Sequence, residues 1–208
     1  MKNYLIEFIG TMFWVMVIGF SGNPLAIGLT ILAAVYIGAH ISGAHYNPAI
    51  TLAFWFRKKI KSSDVLFYWI AQLLGAFAGA VIYYIIQEKS FCPAPAEGVE
   101  LWKCILLELL FTFLLCTAAL TTLTTKKLEN NFIYGLAIGS AVAAGIYCVG
   151  PITGGVFNPA VYLGPMITDS LTGGSSIQYI LLYLIGPFGG SALAAIVYGI
   201  LNPEEFQE

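Results

Sequence analysis

Ser42-Gly43-Ala44-His45-Tyr46-Asn47-Pro48-Ala49 decides the fold, because it returns 111 residues later as Thr153-Gly154-Gly155-Val156-Phe157-Asn158-Pro159-Ala160. Each stretch interrupts an apolar run with small residues and restarts it at Asn-Pro. Asn is a favoured helix N-cap, and Pro suits the first turn because its missing N–H is not needed there. Both stretches therefore read as a break followed by a helix start. The nine residues Pro48–Phe56 are apolar and end at Arg57-Lys58-Lys59. Nine helical residues rise about 13 Å, near half of a ~30 Å hydrocarbon core. The piece is a half-helix, and Pro159–Ile167 is its counterpart.

The rest of the chain supplies the membrane around these pieces. Of 208 residues, 59% are hydrophobic and 10% charged, against about 25% charged in soluble domains. No Asp, Glu, Lys or Arg occurs in Phe8–Phe56, Val65–Gln87, Leu109–Thr125, Asn130–Thr168 or Ser170–Pro203. The turn cluster Ser21-Gly22-Asn23-Pro24 divides the first run into spans near Leu5–Phe20 and Leu25–His40. Val65–Gln87 and Leu101–Thr125 are single spans, the latter carrying Glu108. Asn130–Thr168 divides into a span near Phe132–Val149, a break at Gly150-Pro151-Ile152-Thr153-Gly154-Gly155, and the second half-helix. Tyr179–Leu201 is the last span. The expected fold is an all-α integral membrane domain over residues 1–208, with six spans and two re-entrant half-helices.

Basic residues set the expected orientation. With the N-terminus in the cytoplasm, Lys2, the Arg57-Lys58-Lys59 and Lys61 cluster, and Lys126-Lys127 all lie inside. That places seven of nine basic residues on the cytoplasmic side and only Lys89 and Lys103 outside, as the positive-inside rule requires. Six spans return the C-terminus to the cytoplasm. The expected location is the cell (plasma or inner) membrane.

The two halves, roughly 1–88 and 102–203, hold one register. Leu25-Ala26-Ile27-Gly28 recurs as Leu136-Ala137-Ile138-Gly139, and Gly75, Phe77 and Gly79 recur as Gly186, Phe188 and Gly190. Glu7, four residues before Thr11, is matched by Glu108, four before Thr112. Each half has an odd number of spans, so the second is inserted upside down. Such inverted repeats place a shared site near the midplane, commonly built by broken helices.

The chemistry expected there is that of two facing helix N-termini. Each carries roughly half a positive charge, so the pair opposes cations and protons while admitting a neutral dipole. The carboxamides of Asn47 and Asn158 can donate to a passing oxygen. The segments ahead of them are expected to run extended, with the carbonyls of Gly43, Ala44, His45, Gly154, Gly155 and Val156 forming an acceptor ladder. Non-helical backbone at this depth is tolerated only when buried in protein or lining a wet cavity. Intramembrane carboxylates are functional candidates by default. The paired placement of Glu7 and Glu108 points instead to support of the two loops, with His40 and His45 as hydrogen-bond fixtures of the first.

Glu7-Phe8-Ile9-Gly10-Thr11, His40 through Ala49, Gln72-Leu73-Leu74-Gly75, Gly150 through Ala160, Gly164-Pro165 and Gly186-Pro187 resemble the aquaporin or major intrinsic protein family. The resemblance runs along almost the whole chain. It implies a homotetramer in the lipid bilayer with one pore per subunit, passing water and small neutral solutes. It also places the family's selectivity filter on Ile27, Ile146, Gly155 and Val161. The family usually has an aromatic residue at the first of these positions and an Arg at the last. Here none is aromatic or basic, and Arg57, the only arginine, lies elsewhere. The Asp that commonly follows the Arg in glycerol facilitators is replaced by Tyr162. Losing an aromatic and an arginine leads to the expectation of a wide apolar filter. Glycerol, urea, ammonia and undissociated metalloid acids are then the expected permeants beside water.

Other classes fit less well. A net charge of -2 gives no ground for a nucleic-acid partner. Cys92, Cys104, Cys116 and Cys148 have no metal-type spacing, so no metal or cofactor is expected. Cys92 and Cys104 share one side of the membrane, which leaves a bridge or two free thiols open. No nucleophile–base pair suggests an enzyme. A water-only channel with an unusual filter, an ion-coupled transporter and a junctional protein with a vestigial pore remain the alternatives.

Overall fold

The computed structural model describes residues 1–206, and among these the secondary structure is entirely helical. Six helices are long and apolar enough to cross a membrane: α1 (Lys2–Ser21), α2 (Pro24–Ser42), α4 (Ser62–Gln87), α5 (Leu101–Thr124), α6 (Tyr134–Thr153) and α8 (Ile180–Leu201). Two shorter helices, α3 (Pro48–Phe56) and α7 (Pro159–Leu171), follow α2 and α6. This is the six-span, two-half-helix architecture read from the sequence. Large apolar side chains such as Leu5, Phe13, Leu74, Ile85, Leu181 and Ile196 point outward and are exposed on the protein. Hydrocarbon is the solvent that suits them.

Packing follows the duplication. α1 lies against α4 and α5 against α8, while α2 crosses α6 between the halves. Each half-helix leans on the opposite half, α3 against α8 and α7 against α4. Ser191 Oγ on α8 donates to the carbonyl of Ala49 at 2.6 Å, tying α3 to that helix. The α2–α6 crossing is formed by residues equivalent under the repeat. A Cβ on Gly28 would lie 2.6 Å from the Gly139 carbonyl oxygen, and one on Gly139 would lie 2.5 Å from that of Gly28. Backbone meets backbone there, so neither position accepts a side chain.

The span expected to end at Val149 continues to Thr153, with Pro151 inside its last turn. The break expected from Gly150 therefore starts at Gly154. Proline near the end of a helix costs one hydrogen bond without stopping the chain. The stop is Gly154, left-handed at φ 88°, whose N–H bonds the carbonyl of Gly150. Gly43 ends α2 in the same way, at φ 87° with its N–H on Ala39. Glycine terminates both helices because it enters this region without a Cβ penalty. α7 also runs on to Leu171, four residues past the expected Ile167.

Two polar contacts organise the helix ends. Near the end of α7, Asp169 accepts from Ser90 Oγ at 2.8 Å and from the Ser176 N–H at 3.2 Å. Burial pushes the Asp169 carboxyl up, but the hydrogen bonds from Ser176 and Ser90 outweigh it and hold the pKa below the usual carboxylate value. At the other end, Arg57 caps α3 and pairs with Glu205 at 2.7 Å, both side chains being buried. The other oxygen of Glu205 accepts from the Lys126 N–H at 2.7 Å. One carboxylate thus joins α3, the α5–α6 connection and the segment after α8. The four cysteines are free thiols, so the bridge left open between Cys92 and Cys104 is not formed.

Gly28→Ala should force α2 and α6 apart and destabilise the fold by roughly 1–3 kcal/mol. Thermal unfolding in detergent reads this, and an unchanged midpoint would contradict the close crossing. Glu205→Gln should raise amide hydrogen exchange across residues 125–133 and leave α2 and α6 protected. Equal protection in the parent and the variant would show that the carboxylate does not hold that connection.

Candidate functional site at two opposed helix ends

Asn47 and Asn158 open α3 and α7 as N-caps with extended backbones, at φ -156° and -151°. The Asn47 side-chain oxygen accepts from the Ala49 N–H at 2.8 Å, and that of Asn158 from the Ala160 N–H at 2.9 Å. Pro48 and Pro159 occupy the first helical positions. The amide nitrogens reach across to the other half. Asn47 Nδ2 donates to the carbonyl of Phe157, and Asn158 Nδ2 to that of Tyr46, both at 2.9 Å. A carboxamide has two N–H bonds, so each asparagine keeps one N–H beyond this reciprocal clasp.

The loops ahead of the caps are not extended, and the sequence reading is corrected here. Gly43, Ala44 and Tyr46 have φ of 87°, 52° and 51°, and Gly154, Gly155 and Phe157 have φ of 88°, 62° and 51°. The two loops share one conformation, turn for turn. Left-handed backbone at Ala44, Tyr46 and Phe157 is strained by about 1–3 kcal/mol per residue. Its consequence is that successive N–H groups point one way, toward a buried carboxylate. Glu7 accepts from the N–H groups of His45 (2.9 Å) and Tyr46 (2.6 Å), from Ser42 Oγ (2.6 Å) and from Gln72 Nε2 (2.8 Å). Glu108 accepts from Val156 N–H (3.0 Å), Phe157 N–H (2.7 Å) and Thr153 Oγ1 (2.7 Å). Hydrogen bonds to a charged acceptor contribute about 1.5–3 kcal/mol each, enough together to offset the backbone strain.

Loop support by Glu7 and Glu108 is thus what the geometry places there. His40 is a correction. It is exposed on the last turn of α2 and makes no hydrogen bond among the described residues. Ser42, two residues on, is close enough to Glu7 to take that place. Tyr68 and Tyr183 also brace the loops, donating to the carbonyls of Ser42 (2.8 Å) and Thr153 (2.6 Å). These tyrosines were invisible to motif reading, since they sit far from the loops in sequence, near the starts of α4 and α8. The carbonyls of Gly43, Ala44, His45, Gly154, Gly155 and Val156 accept no hydrogen bond among the described residues.

Ile27, Ile146 and Val161 belong to one apolar cluster. A Cβ on Gly155 would lie 3.2 Å from the Cα of Ile146, which sets the loop backbone against α6. The side chains at the expected filter positions are thus aliphatic. Ile27 and Val161 are each only 2% exposed. Below the first loop, a cavity of about 770 Å³ opens between His45, Gly43, Phe54 and Tyr68 on one side and residues of the 122–132 stretch on the other.

The sequence profile described as major intrinsic protein matches residues 1–198. This chain is a member of that family. Aquaporin AqpM of Methanothermobacter thermautotrophicus is 36% identical over 188 residues, 86% of this chain and 76% of that relative. The probable aquaporin TIP2-2 of Oryza sativa is 34% identical over 218 residues, 95% of this chain and 86% of the other. The X-ray structure of the aquaglyceroporin from Plasmodium falciparum shares the fold, with a TM-score of 0.82 and 22% identity over 98% of both chains. The protein is thus an aquaporin-type, multi-pass membrane channel for water and small solutes, and not an enzyme.

Within this member of the major intrinsic protein family, Glu108→Gln should turn a side-chain donor against the loop N–H groups. A buried group left unsatisfied costs roughly 1–3 kcal/mol. A lower unfolding temperature and slower water flux from reconstituted vesicles are the expected results. Native stability and flux in the variant would remove Glu108 from the supporting role.

Proposed function

We propose that the chain passes water and small neutral solutes of the size of urea, ammonia, glycerol or undissociated metalloid acids, driven only by their gradients. The observation that carries this reading is the clasp between Asn47 and Asn158, which faces two helix N-termini toward each other inside the bilayer. Two partial positive charges repel a cation in a low-dielectric passage, while the spare N–H of each asparagine offers a donor to a neutral oxygen. Asn47, Pro48, Ala49, Asn158, Pro159 and Ala160 are the gate. Ile27, Ile146, Gly155 and Val161 are the filter, and the free carbonyls of both loops are the acceptor ladder.

The filter is apolar and compliant. Its packed aliphatic side chains offer a water molecule no hydrogen bond, and they yield to a solute by changing rotamer. Ion exclusion falls to the helix ends alone, because the filter holds no fixed charge. The orientation proposed is N- and C-termini in the cytoplasm of the cell membrane, which puts the 770 Å³ cavity on the cytoplasmic side. The exposed apolar flanks suit lipid and three further copies of the chain in a homotetramer.

Swelling of proteoliposomes in a panel of solute gradients tests the reading. Fluxes that rise linearly with gradient for water and at least one neutral solute are expected. Saturable uptake that depends on an ion gradient would replace the channel with a transporter. Val161→Arg should abolish the solute fluxes while sparing water, and unchanged solute flux would remove Val161 from the filter.

A further inference from the structure

The turn between α3 and α4 carries Lys58, Lys59 and Lys61, all exposed. There α3 stops on a left-handed residue, the Lys58 N–H bonding the Trp55 carbonyl and the Lys59 N–H that of Phe54, both at 2.9 Å. Lys58 takes φ 59° in the place where Gly43 and Gly154 end α2 and α6. Glycine enters this region without a Cβ penalty, so the lysine costs stability at the stop itself. The turn asks for glycine, and the ammonium is what the lysine adds.

The three lysines line one cavity of about 300 Å³, together with Trp55, Ile60 and Ser62. Trp55 Nε1 donates to Ser62 Oγ at 2.8 Å, which ties the end of α3 to the start of α4. That oxygen accepts, so the Ser62 hydroxyl proton is left for an acceptor in the cavity. The three ammonium groups make no ion pair among the described residues. Asp64, the acid nearest in sequence, is engaged by the Tyr4 hydroxyl at 3.0 Å. Like charges around one concavity oppose each other until an anion with several acceptor oxygens enters.

The neighbouring apolar residues distinguish among such anions. Trp55 and Phe56 are exposed at the end of α3. From Ser62 a ridge at four-residue spacing runs along α4 through Leu66, Ile70 and Leu74, which are 60%, 44% and 53% exposed. A free phosphate has no use for that ridge, whereas a phospholipid lays an acyl chain along it. We propose that this cavity binds the phosphate of an anionic phospholipid, with Lys58, Lys59, Lys61 and Ser62 on its oxygens and an acyl chain on the α4 ridge. Lysines beside a membrane attract anionic headgroups in general, and the cavity gives that attraction a fixed place. The repeat equivalents of the three lysines are Asp169, Ser170 and Thr172, so only one face of the membrane has the site. The site does not depend on what passes the pore.

Native mass spectrometry of the protein in detergent, titrated with phosphatidylglycerol or phosphatidylcholine of the same chains, tests it. Tighter binding of phosphatidylglycerol is expected, and equal binding of the two lipids overturns the site. Exchange of all three lysines for glutamine should weaken phosphatidylglycerol binding about fivefold per lysine, and exchange for arginine should preserve it. Lys89→Gln with Lys103→Gln removes charge elsewhere and should change nothing; a loss equal to that of the glutamine variant overturns the site. Lys58→Gly separates binding from folding. It should unfold in lipid-free detergent no earlier than the parent, yet bind phosphatidylglycerol about fivefold more weakly. Parent-level binding in Lys58→Gly overturns the proposal. Inorganic phosphate that displaces phosphatidylglycerol at equal concentration also overturns it, in favour of a site for free phosphate.

Discussion

Two hydrogen bonds of 2.9 Å hold the centre of this protein together, from Asn47 to the carbonyl of Phe157 and from Asn158 to that of Tyr46. Each asparagine caps its own helix with its oxygen and grips the other half with its nitrogen. The same side chain therefore starts a helix, joins the repeats and aims a donor inward. Neither half could make this arrangement alone. Each half-helix needs the opposing loop for its clasp and the opposing half's spans for its flank. The helix dipoles meet head to head as a result, which is unfavourable by itself and is tolerated because the surrounding contacts leave no alternative.

The loops that lead into the caps depend on buried carboxylates. Left-handed backbone at Ala44, Tyr46 and Phe157 would relax toward ordinary regions if nothing opposed it. Glu7 and Glu108 oppose it by drawing consecutive N–H groups to one point. Burying a carboxylate costs several kcal/mol, and that cost is offset only because three or four donors converge on each. The halves differ in how they complete this shell. The first adds Gln72, Thr51 and His45, while the second relies on Thr153 and on Tyr183 beneath it. The two mouths of one repeated frame thereby acquire different chemistry.

Much of this was legible in the sequence for a simple reason. Asn-Pro is a strong local start signal, glycine a strong local stop, and a membrane allows few folds besides helices. The six spans, both half-helices and the pairing of Glu7 with Glu108 follow from those local rules. What the sequence hid was geometry that depends on distant partners. Pro151 looked like a break because proline usually is one, yet Gly154 three residues later ends the helix. The loops looked extended because their glycines permit any backbone, and only the position of the carboxylates selects the left-handed one. His40 looked like a fixture by proximity, but its side chain is exposed, and Ser42 on the same turn of α2 makes the bond to Glu7.

The family usually guards its narrowest point with a fixed cation, and this chain does not. On the proposed reading, selection against ions is left to dipoles at the midplane and to the energetic cost of moving charge past aliphatic side chains. Simultaneous recording of osmotic water flux and ionic current in one reconstituted preparation tests that division of labour. The account predicts water flux proportional to the osmotic gradient, with no proton or potassium current above that of empty membranes. A current that rises in step with the water flux would show that two opposed helix ends do not suffice to exclude ions.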